Sequence, residues 1–241
     1  MKTILITGSN SDIGIAVAKA LSGHSVNLAL QYYSNQAKAE SLKEWLDKKN
    51  INNKLFQADL TQASSAESLI QNTLIEFGNI DVLINVIGPF VYKDILTVSP
   101  QEWEQDIQSN LSTCFNTCHY TLETLKKSQG HIVNFAFSGV ESIKARPMSA
   151  CYCAAKTGVA VLTKSLATAL APFKVRVNAI CPGLVEEGNI SIEERQNMAE
   201  QIPFGRPVYP DEIGKTVKWL VFDSPETMTG SFLTVSGGWE Y

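Results

Sequence analysis

The chain predicts a doubly wound α/β fold on one parallel seven-stranded sheet, and three observations carry that expectation. Apolar runs of strand length alternate with longer segments of helical spacing from one end of the chain to the other. The first run, Lys2 to Thr7, passes through Gly8 into residues 13–21, which carry small and apolar side chains at helical spacing: strand, glycine turn and helix in succession. The third observation is bulk. At 241 residues with 44% apolar content, the chain suits one domain with a full core. No composition break, repeat or low-complexity run divides it, so the expected domain is 1–241.

Taken in order, strands are expected near 2–7, 25–31, 53–58, 80–86, 131–137, 174–180 and 231–235. Helices are expected near 12–22, 35–49, 62–77, 100–127, 150–171 and 210–222. The stretch 184–209 is long, polar and without a strand pattern, as befits a lid over a substrate.

The net charge of −4, with Lys and Arg scattered, gives no basic footprint, so a nucleic-acid partner is not expected. Nowhere do about 18 apolar residues run uninterrupted, and the first strand begins at Lys2, ahead of any signal-like apolar region. A cytoplasmic protein without a membrane segment is the expectation. Five cysteines, Cys114, Cys118, Cys151, Cys153 and Cys181, read as reduced thiols. Cys114, Cys118 and His119 have a spacing that could share a metal. A zinc site needs further ligands, however, and neither His24 nor His131 has a motif that brings it there, so core packing is the reading.

In Gly8-Ser9-Asn10-Ser11-Asp12-Ile13-Gly14 the turn aims backbone N–H groups at whatever lies over the helix start, a place that favours the pyrophosphate of a nucleotide. Asp12 is ambiguous there. Its carboxylate either caps the helix or competes with the pyrophosphate for the same N–H groups unless it turns aside. Competition implies that Asp12→Gly tightens cofactor binding roughly tenfold.

Cys151-Tyr152-Cys153-Ala154-Ala155-Lys156 opens the segment of helical spacing near 150–171. Residues four apart share a helix face, so a phenol and an ammonium stand side by side. A fixed positive charge lowers the pKa of a tyrosine from about 10 toward the working range, which makes the pair a tuned proton donor. The same spacing also arises by chance on solvated helices.

Glycine turn and Tyr152-x-x-x-Lys156 together resemble the short-chain dehydrogenase/reductase family, and the resemblance runs over nearly the whole chain. It implies a Rossmann-type domain and NAD(P)(H)-dependent exchange between a carbonyl and an alcohol, with 3-oxoacyl-carrier-protein reductases as the branch most like it. The substrate implied is a small carbonyl or alcohol, an acyl thioester among them. By resemblance Tyr152 is the acid, Lys156 tunes it and holds the nicotinamide ribose, and Asn110 sits at a helix irregularity and holds a relay water. Asp59-Leu60 matches the segment that meets adenine, with capping of the next helix as the competing role. Asn85 and Gly88 retain part of the family's Asn-Asn-Ala-Gly segment, although Asn85 could simply tie the central strands together. Pro182-Gly183 ends the strand that meets the nicotinamide amide.

Departures accompany the match. The family's second serine after the fifth strand lies three residues past an Asn, and Phe137 occupies that place after Asn134. Ser138 is the best candidate for the catalytic serine, on condition of a bulge or shifted register, with Ser142 behind it. The Thr expected four residues past Pro182 is Glu186, followed by Glu187. No acidic residue lies in 26–36 to bind a ribose 2′-hydroxyl, which favours NADP(H) and leaves NAD(H) open; the basic residue common before the second glycine is Ser11. Small and apolar residues on nearly every face of 159–170 suggest a partner subunit, and the resemblance implies a homotetramer or homodimer. The alternative is a catalytically weak dinucleotide-binding sensor or scaffold of the same fold.

Overall fold

The computed structural model describes residues 1–186 and 191–240. Seven strands form one all-parallel sheet: β1 (Lys2–Thr7), β2 (Val26–Tyr32), β3 (Asn52–Gln57), β4 (Val82–Asn85), β5 (His131–Phe135), β6 (Arg176–Pro182) and β7 (Phe232–Val235). Their spatial order is β3-β2-β1-β4-β5-β6-β7. The chain winds outward from β1 to β3 and then restarts at β4 on the other side of β1, leaving a crevice at the carboxyl ends of β1 and β4.

The helices are α1 (Asp12–Leu21), α2 (Gln36–Asp47), α3 (Ala63–Phe77), α4 (Pro100–Ile107), α5 (Thr113–Ser128), α6 (Ala150–Leu170), α7 (Ile192–Ala199) and α8 (Pro210–Phe222). They cover both faces of the sheet. On one face Val17, Leu21, Ile213, Val217 and Leu220 from α1 and α8 bury against Ile4, Ile6, Leu28 and Ile84. On the other, Leu69, Ile70, Leu125 and Val159 from α3, α5 and α6 pack on Leu5, Ala29, Leu83 and Ile132. The inner strands are buried on both sides, which is why they read as apolar runs rather than as alternation.

Three elements differ from expectation. The single helix expected over 100–127 is α4 and α5 joined by a π-helical turn, Gln108–Ser112. The lid region contains α7 and an isolated parallel bridge, Val185 to Val208. Its polar composition gives no periodic signal from which a helix could be read. Strand β4 is shorter at both ends, Val82–Asn85; just ahead of it Asp81 stays tied to β1, accepting from Thr3 N through Oδ2 at 2.7 Å and donating its own N–H to Thr3 O at 2.9 Å. The part of the expected lid that falls on 187–190, Glu187 included, lies outside the described residues.

Candidate active site

Gly8 takes φ of +61°, and the next turn is closed by Ser11. Its Oγ accepts from Gly14 N at 3.0 Å and donates to Gly8 O at 2.9 Å. A Cβ on Gly14 would stand 2.3 Å from Gly8 O, so α1 approaches the turn this closely only because residue 14 has no side chain. The cap is Ser11 and not Asp12, which corrects one reading of the carboxylate. Asp12 turns outward to Lys38 on α2, with 2.6 Å between Oδ1 and Nζ.

Gln31, fully buried on β2, fixes the turn from below. Its Oε1 accepts from Gly8 N at 2.9 Å and its Nε2 donates to Ala58 O at 2.8 Å. Its carbonyl accepts from Ser9 N and Ser9 Oγ, both at 2.9 Å. Asn10 reaches across to Ser34 O at 2.7 Å. Above these residues runs an open cleft of about 410 Å³, floored by Gly8, Asn10, Ser11 and Ile13. Tyr33, Ser34, Asn35 and Lys38 wall it at the end of β2, and residues 86–89 wall it at the end of β4. The sequence had singled out neither Gln31 nor Lys38. Lys38 places a basic residue on the cleft wall from the first turn of α2, where Ser11 supplies none.

Tyr152 and Lys156 stand on one face of α6, with Nζ 5.9 Å from the phenol ring centroid. Lys156 is buried, and its Nζ donates to Phe135 O at 3.0 Å and Ile87 O at 3.2 Å, pinning α6 to the ends of β5 and β4. Burial pulls its ammonium down to about 8 from the ordinary 10.5, against the raising influence of Cys114 and Asp106. Asn110 is fully buried in the π-helical turn, an irregularity of a kind frequent at functional sites. A Cβ on Gly88 would lie 2.2 Å from Lys156 Nζ and 2.9 Å from Asn110 Oδ1, so both atoms converge on a nook that only glycine leaves open. Asn110 Oδ1 has no hydrogen-bond partner among the described residues. The phenol is flanked by Phe90, edge-on at 5.0 Å, and by Phe137 at 6.3 Å.

Ser138 does not join this group. The ladder beside β6 continues in regular register past Phe135, with Ala136 N bonded to Ile180 O at 2.9 Å and Ser138 N to Pro182 O at 2.8 Å. Without a bulge, alternation turns Phe137 to Tyr152 and Ser138 to the other side, where its hydroxyl donates to the carbonyl of Trp239. The condition attached to Ser138 is therefore not met. Ser142 lies with Phe137 along a separate cavity of about 300 Å³ on the other side of α6.

Other candidates lie outside the described cleft. Asn85 spends its side chain in the core, donating to Asn134 Oδ1 at 3.0 Å and accepting from Thr117 Oγ1 at 2.7 Å, which is the strand-tying alternative. Cys114 and Cys118 border that network. Asp59 Oδ1 holds Thr61 through its N–H at 3.0 Å and its hydroxyl at 2.7 Å, a local turn ahead of α3. Leu60 is buried beside it. Gly183 N is bonded to Val235 O at 2.9 Å, so Pro182-Gly183 joins β6 to β7.

Cleft, open glycine cradles and a buried amide oxygen facing the Lys156 ammonium fit an elongated dinucleotide laid across the carboxyl ends of β1 and β4. Comparison with known proteins points the same way. The family model for enoyl-(acyl carrier protein) reductase matches residues 8–240. A 3-oxoacyl-[acyl-carrier-protein] reductase of Staphylococcus aureus is 32% identical over 241 residues, 98% of this chain and 97% of that protein. A D-beta-hydroxybutyrate dehydrogenase of Cupriavidus necator is 30% identical over 256 residues, 99% and 97% of the two chains. Among solved structures, an actinorhodin polyketide ketoreductase variant with NADPH superposes with a TM-score of 0.90 at 26% identity, covering 98% of this chain and 96% of its own.

Proposed function

From the premise that this chain belongs to the short-chain dehydrogenase/reductase family, we propose the roles of its individual residues and its choice of cofactor. It is an NAD(P)-dependent oxidoreductase acting between CH–OH and C=O, most like a 3-oxoacyl-carrier-protein reductase, and the sensor or scaffold alternative is not favoured. A nicotinamide cofactor held along the cleft by Gly8, Asn10, Ser11 and Lys38 would supply the hydride chemistry. Tyr152 gives its phenolic proton to the carbonyl oxygen as it becomes an alcohol. Lys156 stabilises the resulting phenolate by its positive charge. Asn110 holds the proton path open at the Gly88 nook. The observation that carries this reading is the convergence of Lys156 Nζ and Asn110 Oδ1 on Gly88, with Tyr152 on the same face of α6.

NADP(H) is the preferred cofactor in this reading. Lys38, paired with Asp12, supports it as a cation on the wall of the cleft at the end of β2, and none of the described residues that line the cleft is a carboxylate. Phe90 and Phe137 beside the phenol support a substrate with an apolar group next to its carbonyl, as in an acyl thioester, the substrate class named for the Staphylococcus aureus relative. Family habit and Val161, exposed on α6, support a homotetramer or homodimer, to be read by light scattering. No described helix is long and apolar enough to cross a membrane, and a single domain working in the cytoplasm completes the proposal. The test is a screen of ketones and acyl thioesters with NADPH and NADH, followed at the reduced-nicotinamide absorbance. Turnover of an acyl thioester with preference for NADPH is expected; preference for NADH would reject the role given to Lys38.

A further inference from the structure

Granted the assignment of Tyr152 and Lys156 to proton transfer, a third ionisable group lies behind them that this assignment does not use. Asp106, in the last turn of α4, is only 5% exposed. Burying a carboxyl group carries a large desolvation cost unless partners hold it, and an apolar side chain would fill the same place without that cost. Asp106 Oδ1 accepts from Asn110 Nδ2 at 2.6 Å, while Oδ2 is buried with no hydrogen-bond partner among the described residues. The same Asn110 nitrogen donates to Asp106 O and Pro89 O, each at 3.2 Å. With acceptors around the nitrogen on three sides, the amide cannot flip without setting its oxygen against them. Its Oδ1 is thereby fixed toward Gly88, the same residue that the Lys156 Nζ adjoins.

Charge follows the same geometry. Burial pushes the Asp106 carboxyl above the usual carboxylate range, with the Asn110 hydrogen bond and the Lys156 charge opposing it. In return Asp106 helps to hold up the Lys156 ammonium against its own burial. The titratable groups around this pair are Tyr152, Cys151 and Cys153 on α6, Cys114 on α5, Cys181 on β6, and Glu102 one turn earlier on α4, itself paired with Lys93. Among the described residues that raise Lys156, Cys114 acts most strongly, and Asp106 is the carboxylate among them.

We propose that Asp106 is a positioning residue for proton transfer: through Asn110 Nδ2 it aims the amide oxygen at Lys156, and its carboxylate keeps the buried Lys156 ammonium charged. The two parts separate experimentally. In Asp106→Asn an amide oxygen still accepts from Asn110, but the charge is gone. In Asp106→Val the acceptor is gone as well.

The first measurement is an NMR titration of ε-13C-lysine-labelled protein without cofactor, with the Lys156 resonance identified by its loss in Lys156→Met. In the parent Lys156 is expected to titrate at about 8, and in Asp106→Asn it should titrate lower by about half to one pH unit. Carbonyl reduction falls as pH rises through the Lys156 value, because the phenol loses the charge that tunes it. The alkaline limb of kcat should therefore shift down by the same amount in Asp106→Asn, while kcat at pH 6 stays within about twofold of the parent. Asp106→Val should lose roughly tenfold in kcat at pH 6 with KM unchanged. An unmoved Lys156 titration in Asp106→Asn would overturn the electrostatic part, and parental kcat in Asp106→Val would overturn the positioning part. The titration needs no turnover, so a parent inactive on every carbonyl would remove the Tyr152–Lys156 assignment and still leave the coupling of Asp106 to Lys156 to be read.

Discussion

The two ends of the cleft are built on opposite terms. At the glycine turn the polar groups are satisfied within the protein: Gln31 bridges Gly8 N and Ala58 O, Ser9 bonds the Gln31 carbonyl, Ser11 closes on both Gly8 and Gly14, and Asp12 pairs with Lys38. At the Tyr152 end Asn110 Oδ1 and Asp106 Oδ2 are buried and without a hydrogen-bond partner among the described residues, and Lys156 is a buried ammonium held by two backbone carbonyls. A satisfied region holds a shape, whereas an unsatisfied one stores a penalty of about 1–3 kcal/mol per group that a stable scaffold would shed. Under the proposed roles, the contrast separates the part of the site that would receive a ligand from the part that would handle a proton.

The largest effect that sharpens this contrast is at Tyr152. Tyr152→Phe keeps the ring against Phe90 and removes only the hydroxyl, so turnover should fall by about 100- to 10,000-fold while calorimetry shows cofactor binding intact. Activity within a few-fold of the parent would break the contrast at its source. Next comes Lys156→Met, which should abolish turnover and yet raise stability at pH 7 by about 1–2 kcal/mol, since the lost carbonyl contacts offset part of the desolvation relief. The sign follows from a folded value of about 8 below the ordinary 10.5. Between these values the unfolded chain binds the extra proton, so the penalty of Lys156 is full below about pH 8 and fades as pH rises. The advantage of Lys156→Met in urea melts should shrink accordingly above that pH; an advantage independent of pH would place the effect in packing.

At the satisfied end, Gln31→Leu strands Gly8 N–H and Ala58 O and should cost about 2–4 kcal/mol in urea unfolding. A loss under about 1 kcal/mol would show that the turn holds itself without the strand beneath it. The smallest effect is expected at Asp12. Because its carboxylate already points to Lys38, Asp12→Gly should tighten NADPH only about threefold by releasing that cation, and leave NADH unchanged. Tenfold tightening of both cofactors would restore the competition for the helix start that the sequence suggested.

The strand and helix order was legible because apolar periodicity records burial on the sheet, and the buried inner strands make that record strong. Tyr152-x-x-x-Lys156 was legible because helix geometry alone sets the two side by side. What escaped depends on register or on contacts between distant residues. Whether Phe137 or Ser138 faces the phenol depends on strand alternation past the end of β5, where one residue reverses the answer. Gln31 looked like an ordinary polar strand end because its partners, Gly8 and Ala58, lie 23 and 27 residues away. Asp106 belonged to an unremarked helical turn, and its burial becomes visible only when α4 lies against α6.

The bond from Ser138 to the carbonyl of Trp239 spans 101 residues, and Lys144 reaches Glu240 at 3.1 Å across 96. During synthesis the glycine turn, the cleft floor and Tyr152 leave the ribosome long before these acceptors exist. The segment that follows β5, which sets Phe137 beside Tyr152, therefore gains these anchors only after β7 has been made. Nascent chains stalled ahead of residue 239 would carry that segment without either of these two contacts.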